Sequence, residues 1–212
     1  LAYSGTLGVS GTGTLNVSGV ANVAALALSG GDLGGTGTVN VAGASTWTFG
    51  AMNGAGTTNF NGDLSISGNL IKDISDGRVV NLNGTTTWTN VAGGNAGAIR
   101  TGIGASLVNA GSFVDALAFD SGMANSLGGA ASSFTNQGSY TKTGAATTNI
   151  NIGFNNTGTV AVQAGNLVLS GGLTNFSGTT LSGGTYRVTD PGTLSFAGAN
   201  IVTNAAIIEL DG

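Results

Sequence analysis

The sequence predicts an all-β chain folded as a single parallel β-helix, with about 20 residues in each coil and about nine or ten coils. Three observations lead there. A unit of about 20 residues repeats along the chain, apolar residues alternate with period two inside each unit, and the composition is rich in glycine and poor in charge.

The repeat is clearest between Ser133 and Val188. The stretch Phe154 to Leu169 fits again 19 positions on, which places Asn156 on Asn175, Val162 on Leu181, Gly165 on Gly184, Leu167 on Tyr186 and Leu169 on Val188. Moved back 20 positions, Phe154, Asn156, Gly158 and Val160 fall on Phe134, Asn136, Gly138 and Tyr140. Self-similarity at such a period marks stacked-repeat architectures. In the N-terminal third Gly13-Thr14-Leu15-Asn16-Val17 recurs from Gly37, from Gly56 and from Arg78, with the asparagines spaced 24, 19 and 22. A longer echo at offset 41 lays Trp47 on Trp88, about two units away. The stretch 91–132 is the least regular, although Leu107 to Phe113 matches Phe134 to Tyr140 at offset 27. Insertions in a solenoid map to loops. Asn109, Asn136, Asn156, Asn175 and Asn204, spaced 27, 20, 19 and 29, are therefore predicted at equivalent corners. The surplus residues should leave as loops between Ala116 and Ser132 and between Thr189 and Thr203.

Within each unit the apolar residues alternate: Leu15-x-Val17, Leu26-x-Leu28, Val39-x-Val41, Leu64-x-Ile66, Val160-x-Val162, Leu167-x-Leu169 and Leu194-x-Phe196. This places two side chains of each strand on one buried face. Glycines and Asn-Gly turns bound each run. Strands this short bury little alone but form long sheets when stacked on their own copies. Stacking disfavours like charges at identical positions, which fits the 7% of charged residues.

Composition excludes several functions. The chain has 40 glycines among 212 residues, no cysteine, no histidine and a formal charge of −4. Positive mean hydropathy argues against disorder, which pairs low hydrophobicity with high charge. The five cations, Lys72, Arg78, Arg100, Lys142 and Arg187, are scattered, whereas nucleic-acid binding wants them clustered. No apolar run reaches the length of a membrane helix. Without Cys or His, the activated nucleophiles of covalent catalysis are missing.

The site candidates are few. Asp73-Ile74-Ser75-Asp76-Gly77, flanked by Lys72 and Arg78, is the one place where two carboxylates are close. It reads as a charged surface loop, with Asp73 and Asp76 a weak Ca²⁺ candidate because hard cations take carboxylate oxygens. Gly35-Thr36-Gly37 imitates a phosphate loop but lacks the lysine and the following helix. Trp47 and Trp88 read as core, with Trp47-x-Phe49 alternating like an inward pair. Thr46-x-Thr48 and Thr87-x-Thr89 suggest the hydroxyl arrays of ice-binding solenoids, but sit in non-successive units.

The run from Ser139-Tyr140-Thr141-Lys142-Thr143-Gly144 through Asn155-Asn156-Thr157-Gly158-Thr159-Val160 to Leu167-Val168-Leu169-Ser170-Gly171-Gly172 resembles the β-strand-repeat segments of large bacterial surface and secreted proteins. These include autotransporter passengers and filamentous haemagglutinin-like adhesins. The resemblance covers about three quarters of the chain and carries no site residues; it implies a right-handed parallel β-helix, extracellular or on the cell surface, with an adhesive or structural role. The expectation is one solenoid over 1–212, a fragment of a longer repeat protein, serving as a stalk, filament subunit or adhesin segment. It should have no catalytic activity, cofactor, nucleic-acid partner or transmembrane segment. Expected contacts are end-to-end copies of itself or continuation into a longer chain, and a glycan or a host or abiotic surface. The alternative is a carbohydrate- or surface-binding module acting through inserted loops.

Overall fold

Alternation of buried and exposed side chains makes each short segment a strand with one inward face, and pairing with the next coil satisfies its backbone. The computed structural model describes residues 2–94 and 96–212. Its strands pair in parallel, coil on coil, as a parallel β-helix with three rows of strands.

The first row stacks the start of Val20–Gly34, then Thr38–Val41, Thr57–Phe60, Val79–Leu82, Ser106–Asn109, Ser133–Asn136 and Gly153–Asn156. The second runs from Ala2–Val9 through the middle of Val20–Gly34, the start of Ser45–Met52, Leu64–Ile66, Thr85–Trp88, Ser112–Asp115, Ser139–Lys142, Thr159–Val162 and Thr185–Thr189 to Ile207–Asp211. The third joins Thr14–Asn16, the end of Val20–Gly34, the end of Ser45–Met52, Lys72–Ile74, Ile99–Thr101, Ser121–Ala124, Thr147–Asn151, Asn166–Leu169 and Thr193–Phe196.

Side chains stack in columns inside the coil. Leu64, Thr86, Phe113, Tyr140, Val160 and Tyr186 form one. Val9, Leu28, Trp47, Ile66 and Trp88 begin another, so the tryptophans lie two coils apart, as the offset of 41 predicts, and both are buried. Phe113 and Tyr140 stack with ring centroids 5.2 Å apart and planes at 5°, while Phe134 meets Phe154 edge-on at 5.4 Å. A column of corner glycines, Gly43, Gly62, Gly84, Gly111, Gly138 and Gly158, links the first row to the second. A Cβ on Gly43 would strike the Ala24 carbonyl oxygen, one on Gly62 would strike Gly43, and one on each of the other four would strike the carbonyl oxygen of the glycine below. That close approach, rather than backbone torsion, requires glycine here.

The stretch 91–132, the least regular in sequence, holds four strands in register, Ile99–Thr101, Ser106–Asn109, Ser112–Asp115 and Ser121–Ala124. The surplus at the step of 27 lies at 125–132, inside the predicted interval, because pairing is continuous from Ser106↔Ser133 to Asp115↔Lys142 and from Ser121↔Thr148 to Ala124↔Asn151.

Several sequence expectations are corrected. The 19-residue step holds at Phe154↔Leu173, but Phe176 to Leu181 then forms an antiparallel hairpin. The second row resumes at Thr185, so Val160 pairs with Tyr186 and Val162 with Val188, and in the third row Leu167 pairs with Leu194. The surplus of the last unit therefore leaves at 176–184, not between Thr189 and Thr203. Asn204 pairs with Leu181 rather than standing over Asn175. At the N-terminal end, Asn40 pairs with Asn22, not Asn16, and Leu15 is exposed. Phe49 is 40% exposed, because the ladder slips between Leu28↔Trp47 and Ser29↔Phe49 and such a bulge re-aims the next side chain.

Candidate functional site

Two asparagine ladders run along the first row on opposite faces. Asn59 Nδ2 donates to Asn40 Oδ1 at 2.7 Å, Asn40 to Asn22 at 2.8 Å and Asn81 to Asn59 at 2.7 Å. This outer ladder ends where Val108 follows Asn81 in register. The inner ladder is buried. Asn109 Nδ2 donates to Asn136 Oδ1 at 2.7 Å and to the Ser139 carbonyl at 2.8 Å. Asn136 repeats this to Asn156 Oδ1 at 2.8 Å and to the Thr159 carbonyl at 2.9 Å, and Asn156 reaches the Thr185 carbonyl at 3.1 Å. Each amide thus ties the corner of its own coil to the coil above. Asn175 leaves the side-chain ladder: its Oδ1 accepts the Asn156 backbone N–H and its Nδ2 reaches the Asn156 carbonyl and the Tyr186 hydroxyl. Asn204 is exposed and bonds only locally, to Ala206. At the start of the ladder Asn109 stands on Leu82, so its Oδ1 is buried without a donor.

The Asp73–Asp76 loop is organised differently from a charged surface loop. Lys72 and Arg78 are fully buried. Lys72 Nζ donates to the carbonyls of Ser67, Gly68 and Leu70, and burial pushes its pKa down to about 8. Arg78 donates through Nε and Nη2 to Thr58 Oγ1 and through Nη1 to the Gly35 carbonyl, and burial lowers it to about 10. Asp73 faces out and takes Arg100 from the next coil in a bidentate pair at 2.8 and 2.7 Å. That hydrogen bonding raises the Arg100 pKa. Asp76 is exposed at a positive φ of 59° and accepts from Ser75 Oγ. The two carboxylates proposed for Ca²⁺ are thus engaged apart. Among the described residues no group of three or more acidic side chains could hold a metal.

Two shallow recesses flank Arg100. One of about 290 Å³ is lined by Ile71, Arg100, Ser121, Asn149 and Asn151. The other, about 280 Å³, holds Asp32, Phe49, Ile71, Asp73 and Arg100. Together they make an outward groove on the third row with an exposed aromatic ring beside a fixed ion pair. Sequence reasoning weighed Asp73 for a site but read Phe49 as core and Arg100 only as one of five scattered cations; the missing signal was the pairing of coils.

On the second row the outward hydroxyls of Thr46, Ser65 and Thr87 stack in register, so Ser65-x-Ser67 fills the coil between the two Thr-x-Thr pairs. The column breaks at Val114 and resumes at Thr141.

A third polar group lies in the core. Asp115 and Lys142 are neighbours in register, both 0% exposed, with Lys142 Nζ 3.4 Å from Asp115 Oδ2. Tyr140 Oη donates to the same oxygen at 2.8 Å, and Lys142 Nζ also bonds Thr148 Oγ1 at 2.9 Å. The Leu117 N–H reaches Asp115 Oδ1 at 3.3 Å. Burial raises the Tyr140 pKa well above its ordinary value. Burial lowers that of Lys142 against the pull of Asp115.

No family model, no curated protein and no solved structure matches the chain. No helix among the described residues is long and apolar enough to cross a membrane.

Proposed function

We propose that the chain is a non-catalytic structural module: an extracellular or cell-surface β-solenoid segment that acts as a stalk, filament subunit or adhesin segment. The observation that carries this reading is the unbroken second row, in which ten strands pair in parallel from Ala2–Val9 to Ile207–Asp211. A load along such a stack is shared among many backbone hydrogen bonds between coils, and the inner ladder adds side-chain bonds across the same gaps. The sequence resemblance to autotransporter passengers and haemagglutinin-like adhesins points the same way. Single-molecule stretching tests it. Unfolding in small steps of one or a few coils at sustained force supports a load-bearing rod; extension at negligible force removes it.

The second reading, a carbohydrate- or surface-binding module, is favoured by one observation, the groove with Phe49 beside the Asp73–Arg100 pair. An aromatic face offers stacking to a sugar ring, and a carboxylate–guanidinium pair offers both acceptors and donors to hydroxyls. Glycan-array binding lost in Arg100→Ala supports it, and an array without signal from the intact chain dismisses it.

A further inference from the structure

We propose that Lys142 and Asp115 condense into an intramolecular amide, a covalent tie between neighbouring coils. The proposal is independent of the mechanical reading above.

The parts of that reaction are in place. The register pairs Asp115 with Lys142 across one inter-coil gap. Both side chains are fully buried, with Trp88 beneath Asp115 and Val162 above Lys142. A buried charge pair in apolar surroundings is costly, and passing the ammonium proton to the carboxylate leaves a neutral amine facing a neutral acid. The Nζ atom already lies 3.4 Å from Oδ2, one bond from the Cγ atom it has to reach. Thr148 Oγ1, 2.9 Å from Nζ, orients the amine. The Leu117 N–H faces Oδ1, the oxygen on which negative charge develops in the tetrahedral intermediate, and the Tyr140 hydroxyl faces Oδ2, the oxygen that leaves. Burial keeps the proton on Tyr140 and eases its loss from Lys142.

The step balances without a further reactant. The Nζ lone pair attacks Cγ of Asp115 and a C–N bond forms. The surplus proton left on the nitrogen passes through Tyr140 to Oδ2, which already carries the first, and the C–O bond breaks, releasing one water. Oδ1 stays as the amide carbonyl, held by the Leu117 N–H. Tyr140 is the catalytic residue and Thr148 a positioning residue.

Intact-mass spectrometry of the purified, full 212-residue chain decides the matter. The expected mass is lighter than the sequence by one water. A digest should yield the peptide carrying Asp115 joined to that carrying Lys142. The full sequence mass, with both peptides recovered separately, overturns the proposal. Lys142→Arg is expected at its full mass; if it is still light by one water, the loss is elsewhere, in a succinimide, and the proposal falls. Tyr140→Phe should be mostly unlinked, as a merely structural role for the hydroxyl would not require. Linkage as complete as in the parent removes Tyr140 from the mechanism.

Discussion

The inner asparagine ladder has a direction, and that direction makes its end and its middle unequal. Every amide donates upward, so Asn109 Oδ1 has no donor, whereas Asn136 Oδ1 and Asn156 Oδ1 each accept one bond from below. Replacing Asn136 by leucine keeps the volume roughly constant. It leaves Asn156 Oδ1 without its donor, takes from Asn109 Nδ2 its bond to Asn136 Oδ1, withdraws the bond to the Thr159 carbonyl, and does nothing for Asn109 Oδ1. A newly orphaned buried acceptor costs about 1–3 kcal/mol and each lost hydrogen bond about 0.5–1.5 kcal/mol, so Asn136→Leu should lose about 2–6 kcal/mol. Replacing Asn109 by leucine instead removes the existing orphan while creating one at Asn136 Oδ1. These two terms offset, and only the bond to the Ser139 carbonyl is lost, so Asn109→Leu should cost about 1 kcal/mol. Urea denaturation of the parent and both variants, with equal denaturant slopes, measures the difference. Equal losses for the two would refute the directional ladder.

Three further outcomes follow from the same coordinates. Gly138→Ala should destabilise by about 1–3 kcal/mol, since its Cβ would strike the Gly111 carbonyl; Gly153→Ala, whose Cβ would sit 3.6 Å from the Ser132 oxygen, should be tolerated, and equal melting temperatures for the two would contradict the corner column. Lys72 titrates at about 8 in the fold against its ordinary 10.5, so between those values the unfolded chain holds the extra proton and stability should rise with pH; melts across the window should show that rise shrinking in Lys72→Met, and a rise of unchanged size would clear Lys72 of the effect. Val160→Asp places a carboxylate between Tyr140 and Tyr186 in the buried column, whereas Ala161→Asp places it outward between Thr141 and Arg187, so Val160→Asp should melt lower, and equal melting temperatures would contradict the inward register.

The sequence made the helical stack legible because period two and corner glycines are local signals. The three central asparagines, the paired tryptophans and the 125–132 loop followed from spacing alone. The hairpin at 176–184 did not, because Asn175-Phe176-Ser177 imitates the Asn-x-Gly corner while the residue that takes the corner position is Gly184, eight residues after Phe176. An alternating pattern shifted by any even number looks the same from sequence, so a hairpin that adds surplus residues at a corner leaves the apolar rhythm untouched and moves every pairing after it. Asn204 failed for that reason, not because asparagine is ill suited to the column.

The buried charges teach the converse. Lys72, two residues before Ile74, and Lys142, two after Tyr140, occupy inward positions by the same alternation that placed their apolar neighbours. Charge suggested surface for Lys72 and Arg78; register put both inside. In a stacked fold the column, more than the residue type, decides which groups meet. Asp115 over Trp88, then Lys142 over Asp115, is a meeting that neither residue's own segment announces, and it exists only because a step of 27 carries Phe113 onto Tyr140 and, two residues later, a carboxylate onto an amine.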